Sequence, residues 1–264
     1  MKTTTLLGIL LLSLFVLSMA SCSDDDNKFK LTPLRFEKNS YETPVDRINT
    51  IMVRGGNRDY TLKVEDSQIL DATVDLSSEI GCGNIIVKGK QKGETTLSVT
   101  DNAMLETVQL QIKVTDSYLG CHIMESNHAA LATDLWMYFI MNDAKEAYFF
   151  SMDKDVNLPT KLVAKGTYEF AEEDKMPYLI LTYAENDGKF TDAHIAPIPH
   201  KFNISQSDPT TFSLLKRYYQ FNWSELDKSP RESPVIQVRL RMQDEKSNIS
   251  SYFVVTQIPE GILK

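Results

Sequence analysis

The chain lacks the short motifs that mark the large enzyme classes. It has no Gly-x-Ser-x-Gly elbow, no His-Glu-x-x-His pair, no phosphate loop and no dinucleotide fingerprint. That absence lowers the case for an enzyme without removing it. Paired carboxylates occur, as in Glu172-Glu173-Asp174, but adjacency in a turn does not set two carboxyls across a scissile bond. Basic excess is missing too: the formal charge is -8 and the pI about 5.1, a balance that repels nucleic acid and anionic lipid. No apolar run reaches the roughly 20 residues needed to span a bilayer, the longest being Leu6 to Leu17. A long helical period is absent beyond that run, and no residue set calls for a cofactor or a metal. What remains is 264 residues, 42% hydrophobic and 24% charged, enough for a real core in one or two domains.

The first residues read as a secretory leader: Lys2 as positive n-region, Leu6 to Leu17 as apolar h-region, then small residues before a cut. Met19-Ala20-Ser21-Cys22 followed by Ser23-Asp24-Asp25-Asp26 resembles the signal of bacterial lipoproteins. The resemblance implies a signal peptide over residues 1–21, acylation of the Cys22 thiol and a mature chain that begins there. Two acyl chains, at roughly 0.8 kcal/mol per buried CH₂, hold a protein on a membrane without a transmembrane helix. The aspartate run resembles the tract that routes Bacteroidetes-type lipoproteins to the outer leaflet of the outer membrane, with a periplasm-facing anchor as the alternative. Loss of Lys2 takes the formal charge from -8 to -9. Residues 22–30 are polar and aperiodic, a stalk whose eight or so residues reach only about 25 Å.

From residue 31 to 115 the hydrophobic period is two. Val108, Leu110, Ile112 and Val114 alternate with Gln109, Gln111 and Lys113, and Tyr60, Leu62 and Val64 do the same, so one face of each strand is buried. Gly55-Gly56-Asn57, Gly81-Cys82-Gly83, Gly89, Gly93 and Asp101-Asn102 punctuate the runs. The expectation is a small antiparallel sandwich. Gly55-Gly56 with Tyr60 and Val64, Gly89 with Gly93, and Val99 with Asp101 resemble bacterial immunoglobulin-like domains of group 2 type. That family serves as spacers and as adhesion or binding units at cell surfaces, and the resemblance carries no catalytic residues.

Residues 116–264 carry larger and more aromatic strands after a segment, 123–133, that reads as a short helix or a covering loop. Residues 135–141 and 147–152 flank the turn Asn142-Asp143 as a hairpin, 166–170 and 177–183 form another with the turn Asn186-Asp187-Gly188 beyond it, and 202–204, 212–214, 219–223, 236–242 and 252–258 follow as strands. Seven to nine strands predict an antiparallel barrel or sandwich. Trp136 and the stretch from Lys165 to Tyr183 resemble lipocalin-like domains of exported lipoproteins, which implies a barrel with room for a small apolar ligand. The fold class is therefore all-β, an immunoglobulin-like β-sandwich followed by an antiparallel β domain.

Tyr219, Phe221 and Trp223 share parity and, with Trp136, are the candidate binding residues for a glycan, protein or small ligand; a core role is the plainer reading of the triplet. Asp192, His194 and His200 also share parity, but Pro197 and Pro199 interrupt the strand and no further ligand is in reach, so they read as solvent-facing, as do His122 and His128. With Cys22 acylated, Cys82 and Cys121 either staple the domain junction or stay free, and free thiols are the preferred reading. The functional expectation is a non-enzymatic surface lipoprotein whose spacer presents a binding domain. A membrane-anchored hydrolase or lyase, and a purely structural envelope component, are the alternatives.

Overall fold

A computed structural model describes residues 31–77, 82–153, 158–191, 195–226 and 238–263. The leader, Cys22, the stalk, Asp192, His194 and Ile236 lie outside these. Seven strands build a sandwich. Strands β1 (Ser40–Pro44), β7 (Glu106–Thr115), β6 (Gly93–Asp101) and β3 (Tyr60–Val64) form one sheet in that order, and β2 (Ile48–Met52), β5 (Asn84–Gly89) and β4 (Leu70–Asp75) form the other. The alternation read on β7 is the one observed, with Leu110, Ile112 and Val114 buried against Val87, Leu97 and Val99. The fold is an immunoglobulin-like sandwich, with one departure from the antiparallel expectation. Strand β1 runs parallel to β7, Ser40 opposite Gln111, because the chain comes in at the end where β7 starts and runs alongside it.

Only Asp116 and Ser117 separate β7 from β8 (Tyr118–Ser126), the first strand of a closed eight-stranded barrel. Strands β9 (Leu135–Ile140), β10 (Glu146–Asp153), β11 (Leu158–Glu173) and β12 (Met176–Tyr183) follow as a meander. The small hairpin β13 (Glu185–Asn186) and β14 (Lys189–Phe190) hangs before β15 (Ile198–Asn203). Strands β16 (Arg239–Gln243) and β17 (Asn248–Val254) complete the ring, and β17 pairs back onto β8 with Val254 opposite Gly120. The second unit is thus a barrel rather than a sandwich. Residues 127–134 form a loop, not a helix.

Strand β9 explains the uninterrupted apolar run Leu-Trp-Met-Tyr-Phe-Ile, since all six residues are buried and both faces are covered. Met137 and Phe139 point into the barrel, while Trp136, Tyr138 and Ile140 point out into a second cluster with Tyr118, Tyr148 and Phe150. The C-terminal segment after β17 straps this outer cluster to the sandwich. Ile258 and Leu263 are buried in it, the Ile258 amide donates to the Tyr118 hydroxyl (3.0 Å), Gly261 N–H donates to Glu42 (3.0 Å), and Lys113 donates to the Leu263 carbonyl (2.8 Å). Arg47 adds a guanidinium 4.6 Å over the Tyr118 ring and a hydrogen bond to the Tyr118 carbonyl.

The barrel lumen is full. Cys121, Met137, Phe139, Phe149, Leu179, Leu181, Tyr183 and Phe202 are each 0% exposed within one cluster. Helix α1 (Pro209–Tyr219) closes the end nearest the sandwich and corrects the strands read around residues 212–223. Pro209 starts it, Lys216 and Arg217 sit in its last turn, and Gln220 ends it in the left-handed conformation (φ 56). Thr211, Phe212 and Leu215 form its buried face. The apparent alternation across Phe212, Leu214, Tyr219, Phe221 and Trp223 belongs to a helix followed by an irregular segment.

Strands β15 and β16 share a single backbone pair, Asn203 with Gln243. Side chains continue the seam. Ser207 accepts from Arg241 N–H (2.9 Å) and donates to its carbonyl (3.2 Å), the Asp208 carboxylate accepts from Arg239 N–H (3.2 Å), and Thr211 donates to the Arg239 carbonyl (2.7 Å). The N-cap aspartate of α1 therefore spends its side chain on the neighbouring strand rather than on its own helix.

Candidate functional site

The four aromatic residues singled out by sequence do not form one surface. Trp136 lies on the outer cluster at 7% exposure, stacked on His122 with ring centroids 4.5 Å apart, and its indole N–H finds no partner among the described residues. Tyr219 ends α1 at the sandwich-facing end of the barrel. Its hydroxyl donates to the Phe139 carbonyl (2.8 Å) and accepts from the Leu119 amide (3.2 Å), two groups that lie opposite one another across β8 and β9. Phe221 packs on Phe170 at 5.9 Å and Trp223 on Phe212 at 4.8 Å, with the Trp223 indole N–H donated to the Lys175 carbonyl (2.8 Å). These are packing roles, and of the four Tyr219 lines an opening.

That opening is a cleft of about 270 Å³ between the β9–β10 turn and the end of α1, lined by Met141, Asn142, Asp143, Lys145, Tyr168, Phe170, Tyr218, Tyr219 and Gln220. Its wall is aromatic and rigid. Tyr168 lies 5.4 Å from Tyr219 and donates its hydroxyl to the Ile140 carbonyl (2.8 Å), while Phe170 packs on both rings. Burial pushes the Tyr168 and Tyr219 phenols well above their ordinary range, so both stay neutral. The rim is polar. The Asn142 side chain is held by Glu146, donating to its carboxylate (2.8 Å) and accepting from its amide (3.3 Å), while Asp143, Lys145 and Gln220 are exposed. An aromatic wall with a carboxylate, an ammonium and two amides at its edge suits a polyhydroxylated ligand: ring faces for C–H surfaces, rim groups for hydroxyls. Among the described residues Asp143 is the one carboxylate that lines the cleft. Sequence reading saw Asn142-Asp143 only as a turn, because the cleft joins three segments that are distant along the chain.

The opposite end of the barrel holds a polar group of its own. His200 points inward from β15, stacked on Tyr183 at 4.2 Å, and His128 from the 127–134 loop meets it edge-on at 5.9 Å. His200 is therefore not solvent-facing, since its side chain is only 15% exposed. His200 Nε2 lies 3.9 Å from Glu185 Oε2, and both atoms are buried. Burial lowers the pKa of His200 and of His128, and Glu185 and Asp244 pull in the other direction. His122, on β8 beside Trp136, is likewise shifted down by burial. Among the described residues no group of three or more His, Cys, Asp or Glu is arranged to hold a metal ion.

Cys82 and Cys121 are free thiols in different cores, Cys82 against the sandwich and Cys121 fully buried in the barrel, so no staple joins the units. No helix among the described residues is long and apolar enough to cross a membrane.

No family model matches the sequence, and no curated protein matches it. Among solved structures, domains 4 and 5 of the S-layer protein SbsC give a TM-score of 0.25 at 16% identity, over 32% of this chain and 51% of that one. Domains 5–6 of SbsC give 0.27 at 10% identity, over 86% and 99%, and the D00-D0 domain of intimin gives 0.25 at 10% identity, over 66% and 98%. Likenesses at these TM-scores carry no argument about fold or function, and both rest here on the chain's own geometry.

Proposed function

We propose that this chain is a non-enzymatic, lipid-anchored protein of the outer cell surface, in which the sandwich is a spacer and the barrel binds a glycan in the cleft between the Asn142-Asp143 turn and the end of α1. The observation that carries the binding reading is the makeup of that cleft among the described residues: an aromatic wall, a polar rim and Asp143 as the one lining carboxylate, with Glu146 taken up by Asn142. Hydrolysis of a glycosidic bond ordinarily needs two carboxyl groups set across it, roughly 5–10 Å apart. Binding needs only the wall and the rim. The filled lumen argues against an internal apolar ligand, the use that the lipocalin-like resemblance implied. The anchor rests on Cys22 and its flanking residues, and the acidic tract Asp24-Asp25-Asp26 supports the outer leaflet.

A hydrolase reading has one observation in its favour, the His200–Glu185 pair with His128 beside it. Against it, the Nε2 and Oε2 atoms that would act are both shut off from solvent.

A glycan array probed with the soluble chain starting at Ser23 tests the proposal. Wild-type protein is expected to retain a glycan that the Asp143→Ala and Tyr218→Ala variants lose, with unchanged melting temperature. Absence of any bound glycan would favour a purely structural envelope component, and release of shortened products would favour the hydrolase. A membrane-partition assay of Cys22→Ser tests the anchor, which fails if the variant still sediments with membranes.

A further inference from the structure

Five large apolar side chains stand exposed at one pole of the sandwich: Leu31 (48%), Met52 (37%), Leu76 (39%), Met104 (39%) and Leu105 (83%). Register puts them together. Met52, Asn84 and Asp75 are paired across the second sheet, so Met52 and Leu76 share its end. In the first sheet Tyr60 pairs with Asp101 and Asp101 with Glu106, which sets the 102–105 turn at the same end. The chain also comes in there, since the Leu34 amide donates to Glu106 (2.8 Å) and the Thr32 hydroxyl to the Gly56 carbonyl (2.8 Å). This pole is remote from the barrel, which follows the other end of β7.

The turn that carries Met104 and Leu105 is braced rather than loose. Asp101 is 0% exposed, and its carboxylate accepts from the Asn57 amide (2.7 Å), the Asn57 side chain (2.9 Å), and the Ala103 (2.9 Å) and Met104 (3.3 Å) amides. The other acids here are engaged as well: Asp59 accepts from Asn102 (2.9 Å) and Glu106 from Leu34. Asp75 accepts from the Ser77 amide (2.9 Å), so among the described residues these acids are turned inward or tied down, while the apolar chains face out. Six of the eleven large apolar side chains that are exposed among the described residues scatter over the rest of the surface, so this is a concentration and not a background.

We infer that this pole is seated on a lipid surface, with Met104 and Leu105 dipping into the headgroup–acyl boundary. The inference deepens the anchor reading and rests on it. Residues 23–30 separate Cys22 from Leu31, a tether of about 25 Å at full extension, and it joins the body at the apolar pole itself. A tethered lipid therefore keeps this pole close to the bilayer at any extension of the tether. Interfacial apolar side chains bury roughly 5–10 Å deep without spanning. The seated pole holds the barrel, which follows the other end of β7, away from the membrane.

The test uses the acylated chain carrying Leu105→Trp in vesicles of phosphatidylethanolamine and phosphatidylcholine, which carry no net charge to repel the acidic chain, with and without brominated acyl chains. Emission of the added indole, taken as the difference from wild type, is expected to fall roughly twofold with bromine, the result of insertion to interfacial depth. Leu158→Trp, on a residue exposed at the far end of the barrel, is expected to be unaffected. Equal emission from Leu105→Trp in both kinds of vesicle overturns the inference and leaves the anchor standing; a self-association that Leu105→Asp abolishes would then assign the pole to a protein contact. Combining Cys22→Ser with Leu105→Trp separates the two claims. If that protein stays on vesicles and remains quenched, the lipid anchor falls and the seated pole is supported. If the acylated chain never reaches the vesicles, both fall.

Discussion

Removing one oxygen atom by Tyr219→Phe is expected to cost the barrel about 2 kcal/mol, because that hydroxyl links the Leu119 amide to the Phe139 carbonyl at a part-buried point of β8 and β9. The ring itself loses nothing, since Phe keeps the contacts with Tyr168 and Phe170. The cost comes from two backbone groups losing a partner. A buried donor or acceptor left unmade costs about 1–3 kcal/mol, whereas a typical intact hydrogen bond contributes only about 1 net. If the strands relax so that amide and carbonyl bond each other directly, the penalty falls toward zero, so the experiment decides whether α1 fixes the spacing of this ladder. Urea unfolding gives the free energy, and a loss of about 2 kcal/mol corresponds to roughly 4–8 °C in Tm for a unit of this size. Amide exchange at Leu119 is the local readout and is expected to accelerate. An unchanged unfolding midpoint with unchanged Leu119 protection would refute the claim that the helix end is wedged into the wall.

Three further outcomes are expected. Ile258→Asp puts a charge into the outer cluster and removes about 2–3 kcal/mol of apolar burial, so the strap should undock and calorimetry should show sandwich and barrel melting as two transitions where the wild type shows one. Gly166→Ala places a Cβ 2.3 Å from the Thr182 carbonyl oxygen, a backbone atom that cannot swing aside, and should destabilise the barrel by at least about 2 kcal/mol in the same assay. His122, His128 and His200 have folded-state pKa values below the ordinary 6.5, so folding favours their neutral forms. The unfolded chain then binds more protons below that pH, and stability, complete above about pH 6.5, should decline as pH falls beneath it. Unfolding midpoints across pH 7.5 to 5 check this, and His200→Gln should flatten part of the slope.

Much of the architecture was legible from residue spacing. The period-two runs of the sandwich are half-buried strands, and their faces follow from parity alone, as Val108 to Val114 on β7 show. The turn at Asn142-Asp143 and the hairpin at Asp187-Gly188, both residues of the latter at positive φ, were equally local. What escaped was non-local or disguised. Helix α1 carried its own signals, Asp208-Pro209 at the start and Lys216-Arg217 near the end, yet aromatic residues spaced by two at 219, 221 and 223 imitate a strand. The closure of β17 on β8 joins positions more than 120 residues apart, Ile249 with Ser126, and nothing local encodes it. The cleft is invisible for the same reason, since residues 142–145, 168–170 and 218–220 meet only once the helix has plugged the barrel. Trp136 looked available because an outward position on a barrel strand is ordinarily wet; here the outer face is a second core.

The central claim is that the barrel takes its ligand on the outside, beside α1, and not in its lumen or among the histidines at the far end. Amide shift mapping of the soluble chain, titrated with a glycan selected on the array, tests this most directly. Shifts confined to Asn142, Asp143, Lys145, Tyr218 and Gln220 are predicted, with the glycan recovered intact. Shifts centred on Phe149 and Leu181, or on His128 and His200, or recovery of a cleaved glycan, would contradict the account.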